Sequence, residues 1–148
     1  MQRIQLICTG RLKEPFYIDA CEEYAKRLGR YCSLERLELT ETGDIERDGE
    51  AVLKKIGADA FVVALCVEGK AYSSEELAAL LGESANRGRS RLAFVIGGSD
   101  GLSDAVKKRA DVRLSMSRMT FPHHLARVMA LEQIYRAFTI LEGGKYHK

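Results

Sequence analysis

A chain of 148 residues with 46% hydrophobic and 30% charged residues is long enough for one domain with a core, and too ordinary for a fibrous or disordered protein. Its net charge of +2 hides an uneven distribution: residues 37–90 carry six Lys and Arg against eleven Asp and Glu, whereas residues 91–148 carry ten against five. No run reaches the roughly 18 apolar residues of a membrane span, and the apolar start is too short for a signal peptide, so a cytoplasmic protein without a membrane partner is expected.

Along the chain, short apolar runs alternate with helical patterns. Ile4–Cys8 predicts a first strand and Pro15–Leu28 a helix, with Pro15 in the first turn, where its missing N–H costs nothing. Leu34–Leu39 predicts a strand, Glu46–Ile56 a helix, and Phe61–Val67 a strand apolar nearly throughout, as a central strand should be. The helix Ser74–Asn86 follows, announced by a capping-box pair, Ser73 and Glu76. Leu92–Ile96 and Val112–Leu114 predict two more strands around a short helix, Ser103–Arg109, with Ser103 as its N-cap. A last helix runs from Pro122 to Leu141 and stops at Gly143-Gly144. The alternation predicts an α/β fold: a single domain over residues 1–148, with a mostly parallel sheet and helices on both faces.

Cys8, Cys21, Cys32 and Cys66 form no C-x-x-C pair, so no zinc or other metal site is expected, and they read as buried free thiols. In the last helix Leu125, Val128, Met129, Leu131, Ile134, Ala137, Phe138 and Leu141 make an unusually broad apolar stripe, with Arg127 and Arg136 on the opposite side. Such breadth suits a helix with one face on the sheet and another on a second subunit; simple core packing is the alternative.

Two loops carry the functional signal. Gly97-Gly98-Ser99-Asp100-Gly101 follows the fourth strand, where glycines allow a sharp turn and close approach of a ligand. It is neither a dinucleotide fingerprint nor a P-loop, and a plain tight turn is the alternative. Ser115–Phe121 follows the fifth strand with neither strand nor helix period. Backbone N–H groups left unpaired there can hydrogen-bond a planar heterocycle, with Met116 and Met119 as adaptable apolar walls; an ordinary connector is the alternative. Ligands in open α/β sheets sit at such strand ends. The basic last third beside these loops suits a polyanion such as nucleic acid. His123 and His124, at a helix start, read as structural. The Tyr146-His147-Lys148 tail would bring a ring, an imidazole and fixed charges if it were ordered in a site.

Phe94-Val-Ile-Gly-Gly-Ser-Asp-Gly-Leu, Leu114-Ser-Met-Ser-Arg-Met-Thr-Phe-Pro-His, Glu132-Gln-Ile-Tyr-Arg-Ala-Phe and the terminal Tyr-His-Lys together closely resemble the RlmH family. These are small SPOUT-type methyltransferases acting on a pseudouridine of 23S ribosomal RNA. The likeness extends to Gly10-Arg-Leu-Lys-Glu, Glu23-Tyr-Ala-Lys-Arg-Leu and the stretch from Leu65 to Lys70, and so spans the chain. The resemblance implies a trefoil knot in the carboxyl-terminal part, which patterning does not reveal. It implies S-adenosylmethionine as cofactor, held by Leu65, Gly97, Met116, Ser117, Arg118, Met119, Thr120 and Phe121. It also implies a homodimer in which one subunit's tail completes the other's site, methylating pseudouridine N3 on assembled ribosomes. Within that reading His147 is the candidate base, with Lys148 as electrostatic helper and Tyr146 stacking on the target base; Arg118, Arg127 and Arg136 are candidate phosphate contacts.

Two other readings compete. A Rossmann-like nucleotide enzyme would want its glycine-rich turn after the first strand, where only Thr9-Gly10 stands. A non-catalytic RNA- or ribosome-binding module would share the basic segment but gives no reason for the paired loops.

Overall fold

Strand and helix alternate as the sequence pattern predicts in the computed structural model, which describes residues 1–89 and 91–148. The strands are β1 (Gln2–Thr9), β2 (Cys32–Leu39), β3 (Phe61–Ala71), β4 (Arg91–Ile96) and β5 (Val112–Ser115). Between and after them lie α1 (Pro15–Leu28), α2 (Ile45–Lys55), α3 (Ser74–Asn86), α4 (Asp104–Arg109) and α5 (His123–Leu141). The strands form one sheet in the order β2-β1-β4-β3-β5, and every pairing is parallel.

Period-two alternation sorts the strand side chains onto two faces. Ile4, Leu6 and Cys8 of β1 and Leu92, Phe94 and Ile96 of β4 join a core with α1, α3 and α5. Ile7, Val62, Ala64, Ala93 and Val95 join a second, smaller core with Val52 of α2 and Val106 of α4. Each fully buried Leu, Ile, Val or Phe contributes about 1.5–3 kcal/mol, so this two-sided burial dominates stability. Small residues such as Ala64 and Ala93 on the second face let α2 and α4 approach closely.

The helix starts follow their caps. Asp44 accepts from the N–H groups of Glu46 and Arg47 at 3.1 and 3.2 Å. Ser73 and Glu76 complete the expected capping box at 3.0 and 2.9 Å, and Ser103 accepts from Val106 N–H at 3.3 Å. Such caps contribute about 1 kcal/mol each. At the end of α5, Gly143 adopts φ +72°, its N–H donates to the Ile140 carbonyl, and Gly144 N–H donates to that of Thr139. This is a Schellman turn, and it folds the tail back along α5.

Three expectations need correction. β3 does not stop at Val67 but resumes to Ala71 after an excursion. Arg127 does not lie on the polar side of α5: it is 5% exposed, facing the sheet. Cys8, Cys21 and Cys32 are buried thiols as expected, whereas Cys66 lies on the β3 excursion and is half-buried.

Candidate active site at the carboxyl ends of the strands

Neighbouring strands β3 and β4 send their following helices to opposite faces, α3 to the larger core and α4 to the smaller. A crevice must therefore open outside their carboxyl ends. A cavity of about 760 Å³ occupies it, large enough for a nucleoside-sized ligand.

Three segments wall the cavity. The first is the excursion of β3. Leu65 and Lys70 both pair with Leu114 of β5, so Cys66, Val67, Glu68 and Gly69 bulge out of the ladder. Re-entry needs a glycine, because a Cβ on Gly69 would fall 2.7 Å from the Arg113 carbonyl carbon and oxygen. Glu68 on this bulge pairs with Lys107 of α4 at 2.5 Å, tying the wall to the opposite helix. Burial pushes the neighbouring Cys66 thiol up from its ordinary value, and Glu68 adds to the effect, so the group stays a neutral thiol rather than a nucleophilic thiolate.

The second wall is the turn after β4. Gly101 N–H donates to the Gly98 carbonyl at 3.1 Å, and Gly101 takes φ +82°. A Cβ on Gly97 would lie 2.4 Å from the Gly101 oxygen, so only glycine fits there. The third wall is the loop after β5. Ser115 Oγ donates to the Ser117 carbonyl at 2.8 Å, and Met119 N–H donates to Ser117 Oγ at 3.0 Å. Among the described residues, no backbone N–H from Ser117 to Phe121 donates to another backbone group. Those of Ser117, Arg118, Thr120 and Phe121 therefore remain for a ligand, the chemistry a planar heterocycle requires. Met116 and Leu65 supply apolar wall beside them.

A family model described as predicted SPOUT methyltransferase matches residues 2–147. The chain belongs to the SPOUT methyltransferase family. It is 48% identical to a protein named ribosomal RNA large subunit methyltransferase H from Bifidobacterium adolescentis, covering 99% of both chains. Proteins of the same name from Clostridium acetobutylicum and Caldicellulosiruptor saccharolyticus are 47% and 44% identical, over 98% of this chain and 99% of each relative. Among solved structures, a probable methyltransferase from Bordetella pertussis Tohama I superposes with a TM-score of 0.60 at 15% identity, covering 92% of this chain and 94% of that one. A probable methylase family protein from Haemophilus influenzae Rd KW20 gives 0.57 at 16% identity, covering 99% and 70%. At that identity the two structures speak for the fold alone.

Within this SPOUT methyltransferase the expected site residues divide. Leu65, Gly97, Met116, Ser117, Met119, Thr120 and Phe121 all line the cavity. Arg118, in the same loop, is exposed and turned off the wall. Arg127 differs from the expected phosphate contact: its guanidinium pairs with Glu38 and donates to the Gly10 carbonyl at 3.1 Å, inside the fold. Arg136 is bound to Glu132 at 2.8 Å and to His147 at 3.0 Å. None of Tyr146, His147 and Lys148 lines the cavity of its own chain. Tyr146 instead packs edge-on against Tyr135 with centroids 4.9 Å apart, and His147 Nε2 lies 2.5 Å from Glu75 Oε1 at the start of α3.

Sequence reasoning missed Cys66, Val67, Glu68, Lys107 and His123 as cavity residues. His123 reads as structural from its place at a helix start, yet it lines the cavity. Burial lowers its pKa, His124 adds to the effect, and its Nδ1 is buried without a partner, which together favour the neutral ring. No sequence signal marks the bulge residues.

Proposed function

We propose that this protein is an S-adenosylmethionine-dependent methyltransferase that methylates N3 of a pseudouridine in 23S ribosomal RNA, on assembled ribosomes in the cytoplasm. The observation that carries the reading is the 44–48% identity, over nearly the whole chain, to proteins named for methylation of large-subunit ribosomal RNA. The donor set fits the cofactor: free N–H groups for an adenine edge, a glycine turn for close backbone approach, and apolar walls from Leu65 and Met116. When bound, the cofactor supplies a methyl group on a sulfonium, already a strong electrophile, so the protein's task is alignment and removal of the imide proton.

The catalytic unit in this reading is a homodimer. Leu125 and Met129, one turn apart, remain half-buried along one flank of α5 outside the core that the helix forms with the sheet, α1 and α3. A second copy across that flank would cover them by a two-fold axis. The tail rests on α5 and α3, away from its own cavity wall, which supports its serving the other subunit's site. His147 would then accept the imide proton, Lys148 would favour the anion, and Tyr146 would stack on the base. Arg118 is the phosphate contact of this reading, because among the described residues it makes no ion pair. A carboxyl-terminal trefoil knot, implied by the family resemblance, belongs to the same reading.

Mass spectrometry of 23S ribosomal RNA from a strain lacking the protein tests the activity: one pseudouridine should lose its methyl group and regain it when purified protein is added to those ribosomes. Calorimetry with S-adenosylmethionine separates the enzyme from a non-catalytic RNA-binding module, which would give no saturable heat.

A further inference from the structure

The turn that presents Gly97 and Gly98 to the cavity is poor in intrinsic rigidity. Three of its five residues are glycines, which surrender the most backbone freedom when fixed. One internal hydrogen bond, Gly101 N–H to the Gly98 carbonyl, closes it. A further restraint comes from Glu41, in the loop between β2 and α2, 58 positions away in sequence. Its Oε2 accepts the Ser99 N–H and the Ser99 hydroxyl, each at 2.8 Å. The turn is shaped around this carboxylate: a Cβ on Gly98 would fall 2.4 Å from Glu41 Oε2 and 2.7 Å from its Cδ. On the other side Glu41 Oε1 packs against Gly10 at the end of β1, where His123 also rests. The Ser99 hydroxyl and N–H together hold the Glu41 carboxyl below its ordinary value, which keeps the acceptor charged.

We infer that Glu41 is a positioning residue of the cofactor site, acting through Ser99 to lock the Gly98–Gly101 turn in the shape that receives the cofactor. This rests on the methyltransferase reading above. Glu41 itself does not line the cavity. Ser99 does, but both its donors are spent on Glu41, so it holds the turn rather than donating to a ligand, and Gly97, Gly98, Asp100 and Gly101 are the turn residues left to face one. Ser99 and Glu41 therefore act as one unit, and removing either should have the consequence of removing both.

The experiment is calorimetric affinity for S-adenosylmethionine and S-adenosylhomocysteine in Glu41→Ala, Ser99→Ala, the double variant and Glu41→Gln, with amide exchange at Ser99 and Gly101 in the ligand-free protein. Each single alanine variant should weaken both ligands about tenfold, as loss of a charge-assisted hydrogen bond does. The double variant should be no weaker than the worse single one. Glu41→Gln, whose amide oxygen can accept both bonds but without the charge, should recover part of the loss. Exchange at Ser99 should quicken in Glu41→Ala. Wild-type affinity in Glu41→Ala, additive losses, or a loss confined to S-adenosylmethionine would overturn the assignment; the last would mean direct attraction to the sulfonium. If the wild type binds neither ligand, the methyltransferase reading fails by itself. The exchange data still decide the brace, and unchanged Ser99 protection in Glu41→Ala would sink it.

Discussion

Arg136 and His147 meet through Nη1 and Nδ1 at 3.0 Å, and this contact fixes where the imidazole carries its proton. A guanidinium has only donors, so Nδ1 accepts, and in the neutral ring Nε2 bears the hydrogen and donates to Glu75. Both nitrogens are thus engaged while the tail lies on its own α5. A base needs a free lone pair, so His147 can take a proton only after Nδ1 leaves Arg136. The arrangement is one of docking, held further by Arg136 over the Tyr146 ring at 4.8 Å.

Gly97→Val should abolish cofactor binding in a protein that still folds. The side chain would meet the Gly101 carbonyl carbon and oxygen at 2.5 and 2.4 Å, so the substitution opens the turn rather than merely obstructing a ligand. Circular dichroism should match wild type while calorimetry shows no S-adenosylmethionine heat. Wild-type affinity in a well-folded variant would contradict the placement of the cofactor against this turn.

Gly69→Ala should cost about 1–3 kcal/mol, the usual range for forcing a methyl into filled space. The neighbours are the backbone of Arg113 and Leu114, which cannot rotate aside as a side chain can. The thermal midpoint should fall by roughly 2–4 °C per kcal/mol for a domain near this size. An unchanged midpoint would mean that the β3 bulge re-enters the sheet by another path.

The elements were largely legible because helix and strand patterns are local: α1 and α3 match their expected limits, and Ser73 and Ser103 cap where their neighbours require. The two loops were legible because glycine and polar residues interrupt periodicity. What stayed hidden depends on register and on distant partners. Phe61 to Ala71 reads as one apolar run fading into polar residues, and nothing local reveals that Leu65 and Lys70 share Leu114. Glu41 and Ser99 lie on segments that meet only once the sheet order is known. Arg127 looked solvent-facing because its charge outweighs its position on the wheel; Glu38, at the end of β2, is what permits it inside.

That ion pair predicts a pH signature. Burial opposes ionisation of Glu38, but the Leu12 N–H and Arg127 overcome it and hold the carboxyl below its ordinary value. A depressed carboxyl contributes stability above its unfolded pKa and loses it as pH falls through the folded one. Arg127→Met should therefore be less stable than wild type by about 1–3 kcal/mol near neutrality, since a buried partner is lost while Glu38 keeps access to water. The difference should narrow as denaturation is repeated through and below the carboxylate range. A constant difference down to strong acid would show that Arg127 acts by packing alone.

Association should follow the flank of α5. Sedimentation at micromolar concentration should give about twice the 16.5 kDa of the chain, and Met129→Glu, placing a charge on the half-buried flank outside the core, should shift it toward monomer. A wild-type monomer that still methylates RNA would defeat the dimeric reading.

The tail supplies the most demanding test. If His147 acts only on the target base, His147→Ala should bind S-adenosylmethionine normally and lose most methyl transfer, because the lost interaction belongs to the transfer step. Release from Arg136 and Glu75 must precede that step, so a tail serving the partner needs an intact cofactor pocket in one subunit and an intact His147 in the other. Mixing His147→Ala with Gly97→Val subunits creates one such pairing in each heterodimer, whereas tails serving their own chain would leave both sites defective. With both parents inactive and exchange confirmed by mass, recovery of about half the wild-type activity per heterodimer is the expected result, one of two sites being whole. An inactive heterodimer would confine each tail to its own subunit and would require His147 to reach the cavity from the α5 face on which it now rests.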